Sequence, residues 1–457
     1  MGAVNRVSIV QPEPVIKSLL GPQTTGFAHR PGGREPREKS TLEAPVRIEN
    51  RAQLIYLLTE AAELEHGIMC CYLFAAFSMK RDVQEGISEE QLTFVRRWRR
   101  TILQISIEEM LHMCLACNLL TAVGGAPHLR RPNLPVSPKA YPPSFKLELA
   151  PFCWQSLENF IFIERPEDPE PGAGEGTSLA FPPQAKLSDI FSSAREYQSQ
   201  GRLYHGIEDG LQYLSQKYGE DGLFLGPPDA QIAGAYFNLP GLNPVTDLTS
   251  AEAALQGIIV QGEGARGFSK DSHHGRFVAI QEEYEGILKE DPKFVPARPV
   301  IWNPYSMLPN DVSDDSEINL LEDPLSIDIS NLFDGCYELL MQMLGRLFAH
   351  GEEPEDELTR LSDITEGLMV DVIGPLGEAL TRLPAGPSHN GLMAGPSFRF
   401  SRDSGTPPHR EAARALFIER FKELSAYCGF LQTEGALSSV LTRVRASLGR
   451  YAEQLEK

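Results

Sequence analysis

Long apolar runs are missing from this sequence of 457 residues. No window approaches the roughly 18 consecutive apolar residues that a membrane-spanning helix requires. The first 40 residues also lack the apolar centre of a secretory signal. We therefore expect a cytoplasmic protein that does not associate with a membrane.

Positive charge is scarce as well. The formal net charge is −20 at pH 7 and the pI is about 5.0. The short basic run Arg96, Arg97, Arg99 and Arg100 is typical of the solvated face of a helix. Because nucleic-acid binding requires Lys and Arg concentrated on one surface, no nucleic-acid partner is expected.

The cysteines form no recognisable framework. There are seven, an odd number, and most lie inside apolar segments, as reduced thiols of a cytosolic protein do. Cys114-x-x-Cys117 has no second Cys-x-x-Cys to complete a zinc site. The sequence favours a role in core packing for this pair, and metal binding or redox chemistry is the alternative.

Two long helices are predicted early in the chain, after a Pro- and Gly-containing N-terminal extension over residues 1–48. They cover about residues 50–80 and 89–123, and Gly124-Gly125 ends the second. From about 128 to 246 the pattern breaks up, and residues 145–149 and 157–164 resemble short strands. This insertion is either a lid or pocket wall, or a stabilising addition.

Helical signal resumes at a capping box, Thr249-x-x-Glu252. Residues 301–457 are again mostly helical and contain no group of metal-ligand side chains. Their apolar stripes predict packing on the preceding helices or on a second subunit, which would make the protein a homo-oligomer.

Acidic side chains at the centre of the two long helices point to a metal. At about 100° per residue, Glu65 continues the apolar stripe of the first helix, and Glu109 and His112 continue that of the second. An unpaired buried carboxylate costs several kcal/mol. A Glu and a Glu-x-x-His on neighbouring helices are half of the ligand set of di-iron carboxylate bundles. The alternative is an ordinary polar pair three residues apart on a half-exposed helix.

A second group of candidate ligands follows later in the chain. Glu263 lies at the end of an apolar helical segment, and His273 and His274 begin another helix. These side chains flank one tight turn and can converge, although adjacent histidines at a helix start often face solvent. Asp271 has the spacing of a partner only for His274, because Lys270 stands three residues before His273.

Several segments resemble the ferritin-like family that contains the iminophenyl-pyruvate dimer synthases of bis-indole pigment biosynthesis. The resemblance rests on AAELEHGIMCCYLFAAFS, IEEMLHMCLACNLLTAVGGAP, IIVQGEG, SHHGRF, DVIGPLGEALTRLP and AGPSF. It implies a mainly α fold: a ferritin-like four-helix bundle within residues 49–300, a mixed α/β insertion at about 128–246, and further helices over 301–457.

The resemblance also implies a metal site and an activity. Its ligands would be Glu65, Glu109, His112, Glu263 and His273, with His274 and Asp271 as alternatives. One or two iron ions are expected. A symmetric di-iron site would have a carboxylate three residues before the second histidine, and that position is Lys270 if His273 is the ligand. The implied function is an iron-dependent oxidase or oxidative coupling enzyme that uses dioxygen or peroxide on an amino-acid-derived imine or related small molecule. The rivals are a metal storage or detoxification protein, and a helical scaffold whose acids are merely paired.

Overall fold

The first two helices form an antiparallel hairpin, as the sequence predicts. In the computed structural model, α1 covers Arg51–Ser78 and α2 covers Glu89–Ala122. A guanidinium nitrogen of Arg51, at the start of α1, donates to the carbonyl oxygen of Val123, just after the end of α2. Ser88 and Gln91 form a capping box at the start of α2, which stabilises a helix by about 1 kcal/mol. The structure describes residues 48–138, 145–166, 200–234, 236–237, 239–262, 269–308, 318–348, 353–402, 405–431 and 435–457.

Two later helices complete the frame around this hairpin. They are α6, Leu248–Gly262, and α7, His273–Glu290, and both pack against α2 and against each other. The carboxylate of Asp247 accepts the Ser250 backbone N–H at 2.8 Å. The cap of α6 is therefore Asp247, two residues before the Thr249 expected from the sequence, because its side chain reaches the first free N–H groups of the helix.

The insertion is helical where strands were expected. Residues 157–164 belong to α3, Trp154–Ile163, with Glu164 as its C-cap. Their apolar residues Leu157, Phe160 and Ile163 are buried at helical spacing. Residues 145–149 form a single antiparallel bridge, between Leu147 and Val136. The strand expectation for 157–164 was wrong because a short apolar run looks alike in both structures.

Two more helices of the insertion are α4, Gln200–Tyr218, and the short α5, Glu220–Leu223. Helix α4 packs against both α1 and α6, and α3 packs against α7. The insertion therefore lies directly against the helices that carry the predicted ligands.

The C-terminal part is helical, as predicted. Its helices are α8 Pro324–Phe348, α9 Glu355–Leu368, α10 Gly374–Leu380, α11 Arg410–Phe430 and α12 Gly435–Glu456. A π-helical turn, Met369–Ile373, joins α9 to α10. Two-residue strands, β1 Pro304–Tyr305 and β2 Asn319–Leu320, pair in parallel. Helix α10 contacts α1, so these helices pack on the first hairpin.

The mainly α fold class is confirmed. The proposed division into residues 1–48, 49–300 and 301–457 remains a prediction, and the N-terminal extension lies almost entirely outside the described residues. Within the described part of the chain, every helix is too short or too polar to cross a membrane.

Candidate metal centre

The hairpin brings three predicted ligands together. Glu65, Glu109 and His112 are fully buried. The Nδ1 atom of His112 lies 3.0 Å from an oxygen of Glu109 and 3.7 Å from Oε2 of Glu65. Because α1 and α2 are antiparallel, residues about 15 positions before the connecting loop and 20 after it reach a similar height.

His273 joins them from the first turn of α7. The helix is capped by Ser272, whose hydroxyl accepts the Gly275 N–H at 3.1 Å. His273 is fully buried, and its Nδ1 lies 2.8 Å from Oε1 of Glu109. One ligand atom each from Glu109, His112 and His273 lies within 4.8 Å of the others. This spacing is compatible with one shared ion.

The alternatives for His273 lie elsewhere. His274 is only half-buried and Asp271 is exposed. Neighbouring residues on a helix point about 100° apart, and His273 is the one whose ligand atom lies within 4.8 Å of those of Glu109 and His112. Glu263 lies outside the described residues. Its role as a ligand therefore stays a prediction.

The insertion supplies a carboxylate that the sequence reasoning missed. Glu164, the C-cap of α3, is 1% exposed, and its Oε2 lies 3.6 Å from Nδ1 of His273. The missed signal is helical spacing, because Glu164 lies three, four and seven residues after Ile161, Phe160 and Leu157.

Two tyrosines fix the orientation of the outer carboxylates. The Tyr72 hydroxyl donates to Oε1 of Glu164 at 2.5 Å. The Tyr204 hydroxyl donates to Oε1 of Glu65, and the Gln200 amide donates to the same oxygen at 2.6 Å. In each carboxylate one oxygen is therefore held by the protein and the other is turned toward the histidines.

Both histidines are held through Nε2. His112 donates from Nε2 to Oε1 of Gln261 at 2.9 Å, and His273 donates from Nε2 to a Glu108 oxygen at 2.8 Å. Glu108, which precedes Glu109 on α2 and so points about 100° away from it, also pairs with Arg276. A histidine that donates from one nitrogen presents the other to the centre, which is how proteins orient metal-binding imidazoles.

Four buried polar atoms at this centre make no well-directed hydrogen bond to the described residues, although two of them, Glu109 Oε1 and His273 Nδ1, lie 2.8 Å from each other. The four atoms are Glu65 Oε2, Glu109 Oε1, Glu164 Oε2 and His273 Nδ1. Buried polar groups are almost always paired, since leaving one unpaired costs about 1–3 kcal/mol. Carboxylate oxygens and an imidazole nitrogen that converge without well-directed hydrogen bonds suit a divalent cation such as iron. The residues present therefore fit the metal that the fold implies.

The electrostatics of these side chains also favour the binding of a cation. Burial alone would lower the pKa of His112. The nearby carboxylates of Glu109 and Glu65 have the larger effect and raise the pKa of His112 to about 10. Burial likewise opposes charge on His273, and Glu109 and Glu108 raise its pKa well above the usual value. Burial, together with the nearby Glu109, raises the pKa of Glu164. The Nδ1 of each histidine therefore attracts a positive charge, which either a proton or a metal ion can supply.

Comparisons with known proteins agree with this architecture. Residues 58–282 match the family model described as Ferritin-like. Dichlorochromopyrrolate synthase of Lentzea aerocolonigenes is 27% identical over 424 residues, which cover 83% of this chain and 39% of that protein. The 2-imino-3-(indol-3-yl)propanoate dimerase of Chromobacterium violaceum is 30% identical over 376 residues, which cover 77% of this chain and 34% of that protein. The chain thus spans a little over a third of the length of these curated relatives.

A solved ferritin-like protein from Caulobacter vibrioides aligns with 78% of this chain and all of its own, with a TM-score of 0.46 and 16% identity. The range 58–282 that matches the family model contains most of α1, all of α2 and α6, the insertion, and the first ten residues of α7. It therefore includes every described residue of the candidate metal centre. This segment, a little under half of the chain, is ferritin-like.

Proposed function

We propose that this protein is a non-heme iron oxidase that couples molecules of an amino-acid-derived imine. The observation that carries the proposal is the convergence of four buried atoms without a well-directed hydrogen bond to the described residues, from Glu65, Glu109, Glu164 and His273, beside the imidazole of His112. The similarity to a synthase of dichlorochromopyrrolate and a dimerase of an indolyl imino acid supports the substrate class.

The iron would be held by Glu65, Glu109, His112, Glu164 and His273, and Glu263 remains a further candidate. When bound, iron would supply a redox-active Lewis acid for the transfer of electrons from the substrate to dioxygen or peroxide. Joining two imine molecules through one new carbon–carbon bond releases two electrons and two protons. One molecule of peroxide takes these up and becomes two molecules of water.

The surrounding residues would keep the ligands in position. Tyr204 and Gln200 restrain Glu65, and Tyr72 restrains Glu164. Glu108 restrains His273 from outside the centre. Ligands held in this way lose less conformational entropy on binding, and the buried site excludes bulk water from the reaction.

Metal content is the first test. The purified full chain should contain iron, or take up about one or two equivalents of ferrous iron without oxygen, as elemental analysis measures. Glu109→Ala should lose this iron and keep the helical circular dichroism. Glu63→Ala is the matched control, because Glu63 lies on α1 but pairs with His128 at the surface. Equal iron content in all three proteins would refute the metal centre.

Turnover separates the enzyme from its rival, a metal store. Iron-loaded protein given indole-3-pyruvate imine and peroxide should produce a coupled dimer that mass spectrometry detects, and Glu109→Ala should not. In a separate experiment, excess ferrous iron in air should leave one or two irons per chain. Retention of tens of irons per chain would support storage and contradict the oxidase.

A further inference from the structure

A large cavity lies between the first hairpin and the C-terminal helices α8, α10 and α12. Its volume is about 720 Å³, within the range of roughly 300–1,000 Å³ that is usual for small-molecule sites. Among the described residues, none of the five proposed metal ligands lines the cavity. No described lining residue comes from the insertion at 128–246. On α2, Met110 lines the cavity while its neighbour Glu109 points into the metal centre, about 100° away.

The wall of the cavity is apolar and adaptable. Five of the ten methionines of the chain line it: Met69, Met110, Met113, Met341 and Met369. Methionine side chains are flexible and polarisable, and they pack well against aromatic rings of different shapes. The π-helical turn Met369–Ile373 forms another part of the wall, and such turns are frequent at functional sites. Val370 on this turn is 67% exposed.

The described lining of the cavity carries more positive than negative charge. Arg99, Arg382 and Arg443 line it, together with one acidic side chain, Glu378. Glu378 already accepts hydrogen bonds from Arg99 and Arg382, and also from Arg81 outside the lining. One carboxylate therefore serves three guanidinium groups, in a protein whose net charge is −20. The Nε atom of Arg99 is buried and has no partner among the described residues.

We propose that this cavity binds a small molecule with a flat apolar body and a carboxylate, at a site separate from the metal centre. The methionine wall would contact the apolar body. Arg99 and Arg382 would bind the carboxylate, because guanidinium groups pair with carboxylates through two parallel hydrogen bonds. This site does not depend on the proposed iron chemistry.

A matched pair of probes tests the charge requirement. Isothermal titration calorimetry of the full chain should show saturable binding of 2-naphthoate, and binding of the neutral 2-naphthamide at least ten-fold weaker. The double variant Arg99→Gln/Arg382→Gln should lose this preference. Arg100→Gln is the control, because Arg100 is exposed beside Arg99. Equal affinity for both probes in the wild-type protein would overturn the role of the arginines.

A second set of variants tests the location. Met110→Trp should narrow the cavity and weaken binding of 2-naphthoate at least ten-fold, whereas Met307→Trp should not, because Met307 is 51% exposed and outside the cavity. Glu109→Ala should bind the probe normally, since the metal centre is elsewhere. Loss of binding in Glu109→Ala would place the carboxylate at the metal instead.

The oligomeric state of the same variants tests another occupant of the cavity. If the wild-type protein is a dimer that Met110→Trp converts to a monomer without loss of probe binding, a second copy covers this face and the proposal is overturned.

Discussion

The hydroxyl of Tyr204 donates to Oε1 of Glu65 and so joins the insertion to the first helix of the candidate metal centre. Both residues are almost fully buried, and Tyr204 lies 139 positions further along the chain. The bond leaves Oε2 of Glu65 without a hydrogen-bond partner in the described part of the chain, beside the Nδ1 atom of His112. The periodicity of α1 thus predicts that Glu65 is buried. It does not predict that α4 packs against Glu65 and orients its carboxylate.

Removing the Tyr204 hydroxyl should weaken metal binding without removing a ligand. In Tyr204→Phe the Glu65 carboxylate keeps its Gln200 bond but is less restrained, and loss of such a partner typically lowers metal affinity by 10- to 100-fold. Competition with a metal chelator measures this change. Tyr213→Phe is the control, because Tyr213 lies on the same helix and is 43% exposed. Unchanged affinity in Tyr204→Phe would show that Tyr204 serves only packing.

Glu164→Gln tests the ligand that sequence analysis missed. The amide keeps the size of the side chain but lacks the negative charge that a cation requires, so metal affinity should fall at least ten-fold. The Tyr72 hydroxyl can still donate to the amide oxygen, and the melting temperature should therefore change little. The conservative variant Glu164→Asp has a shorter side chain with the same charge, and it should bind metal more strongly than Glu164→Gln. Normal metal content in Glu164→Gln would exclude Glu164 as a ligand.

His273→Ala and His274→Ala should differ sharply. His273 is fully buried against Glu109, whereas His274 is half-buried and lies about 100° further round the helix. We expect His273→Ala to lose iron and His274→Ala to keep it, as elemental analysis of the two purified variants would show. The reverse ranking would transfer the ligand role to His274.

The helical period explains which parts of the site the sequence could predict. Glu65, Glu109 and His112 lie on two long helices, where a regular repeat relates each side chain to the buried face. Glu164 lies at the end of a short helix whose apolar run also suits a strand. Glu108 does point away from the centre of the hairpin, as its position on α2 predicts. Its contact with His273 depends on how α7 packs, which the periodicity of one helix cannot reveal.

The same reasoning applies to the fold. The predicted ends of α1 and α2 lie within two residues of the observed ones. For α2 the sequence marks both ends, because Ser88 caps its start and Gly124 adopts the left-handed conformation just after its end. The π-helical turn at Met369–Ile373 and the close packing of α10 on α1 have no local signature. Both depend on contacts between segments that are far apart in the sequence.

Close packing of α10 on α1 gives a stability test. A β-carbon at Gly377 would lie 2.6 Å from ring atoms of Phe77, and both residues are buried. Gly377→Ala should therefore lower the free energy of unfolding by about 1–3 kcal/mol through overpacking. In Gly374→Ala, on the same helix, the new carbon meets only the Met369 carbonyl oxygen at 3.6 Å. Urea denaturation should show a loss for Gly377→Ala alone, and equal effects would contradict the close approach.

The buried carboxyl of Asp334 on α8 should make stability depend on pH. Burial raises its pKa from 3.8 to about 6, although it accepts a hydrogen bond from Ser397 and lies near Arg399. Between about pH 4 and 6 the unfolded chain releases this proton more readily than the folded chain. The contribution of Asp334 to stability is therefore complete below pH 4 and decreases as the pH rises to 6.

Asp334→Asn cannot titrate and should lack this contribution. Loss of its pairing with Arg399 should lower the overall stability of the variant. The difference between wild-type and variant free energies of unfolding should nevertheless shrink as the pH rises from 4 to 6, by up to about 3 kcal/mol. Urea denaturation at a series of pH values measures this difference. A difference that is constant over the window, or that grows with pH, would show that the folded protein does not raise the pKa of Asp334.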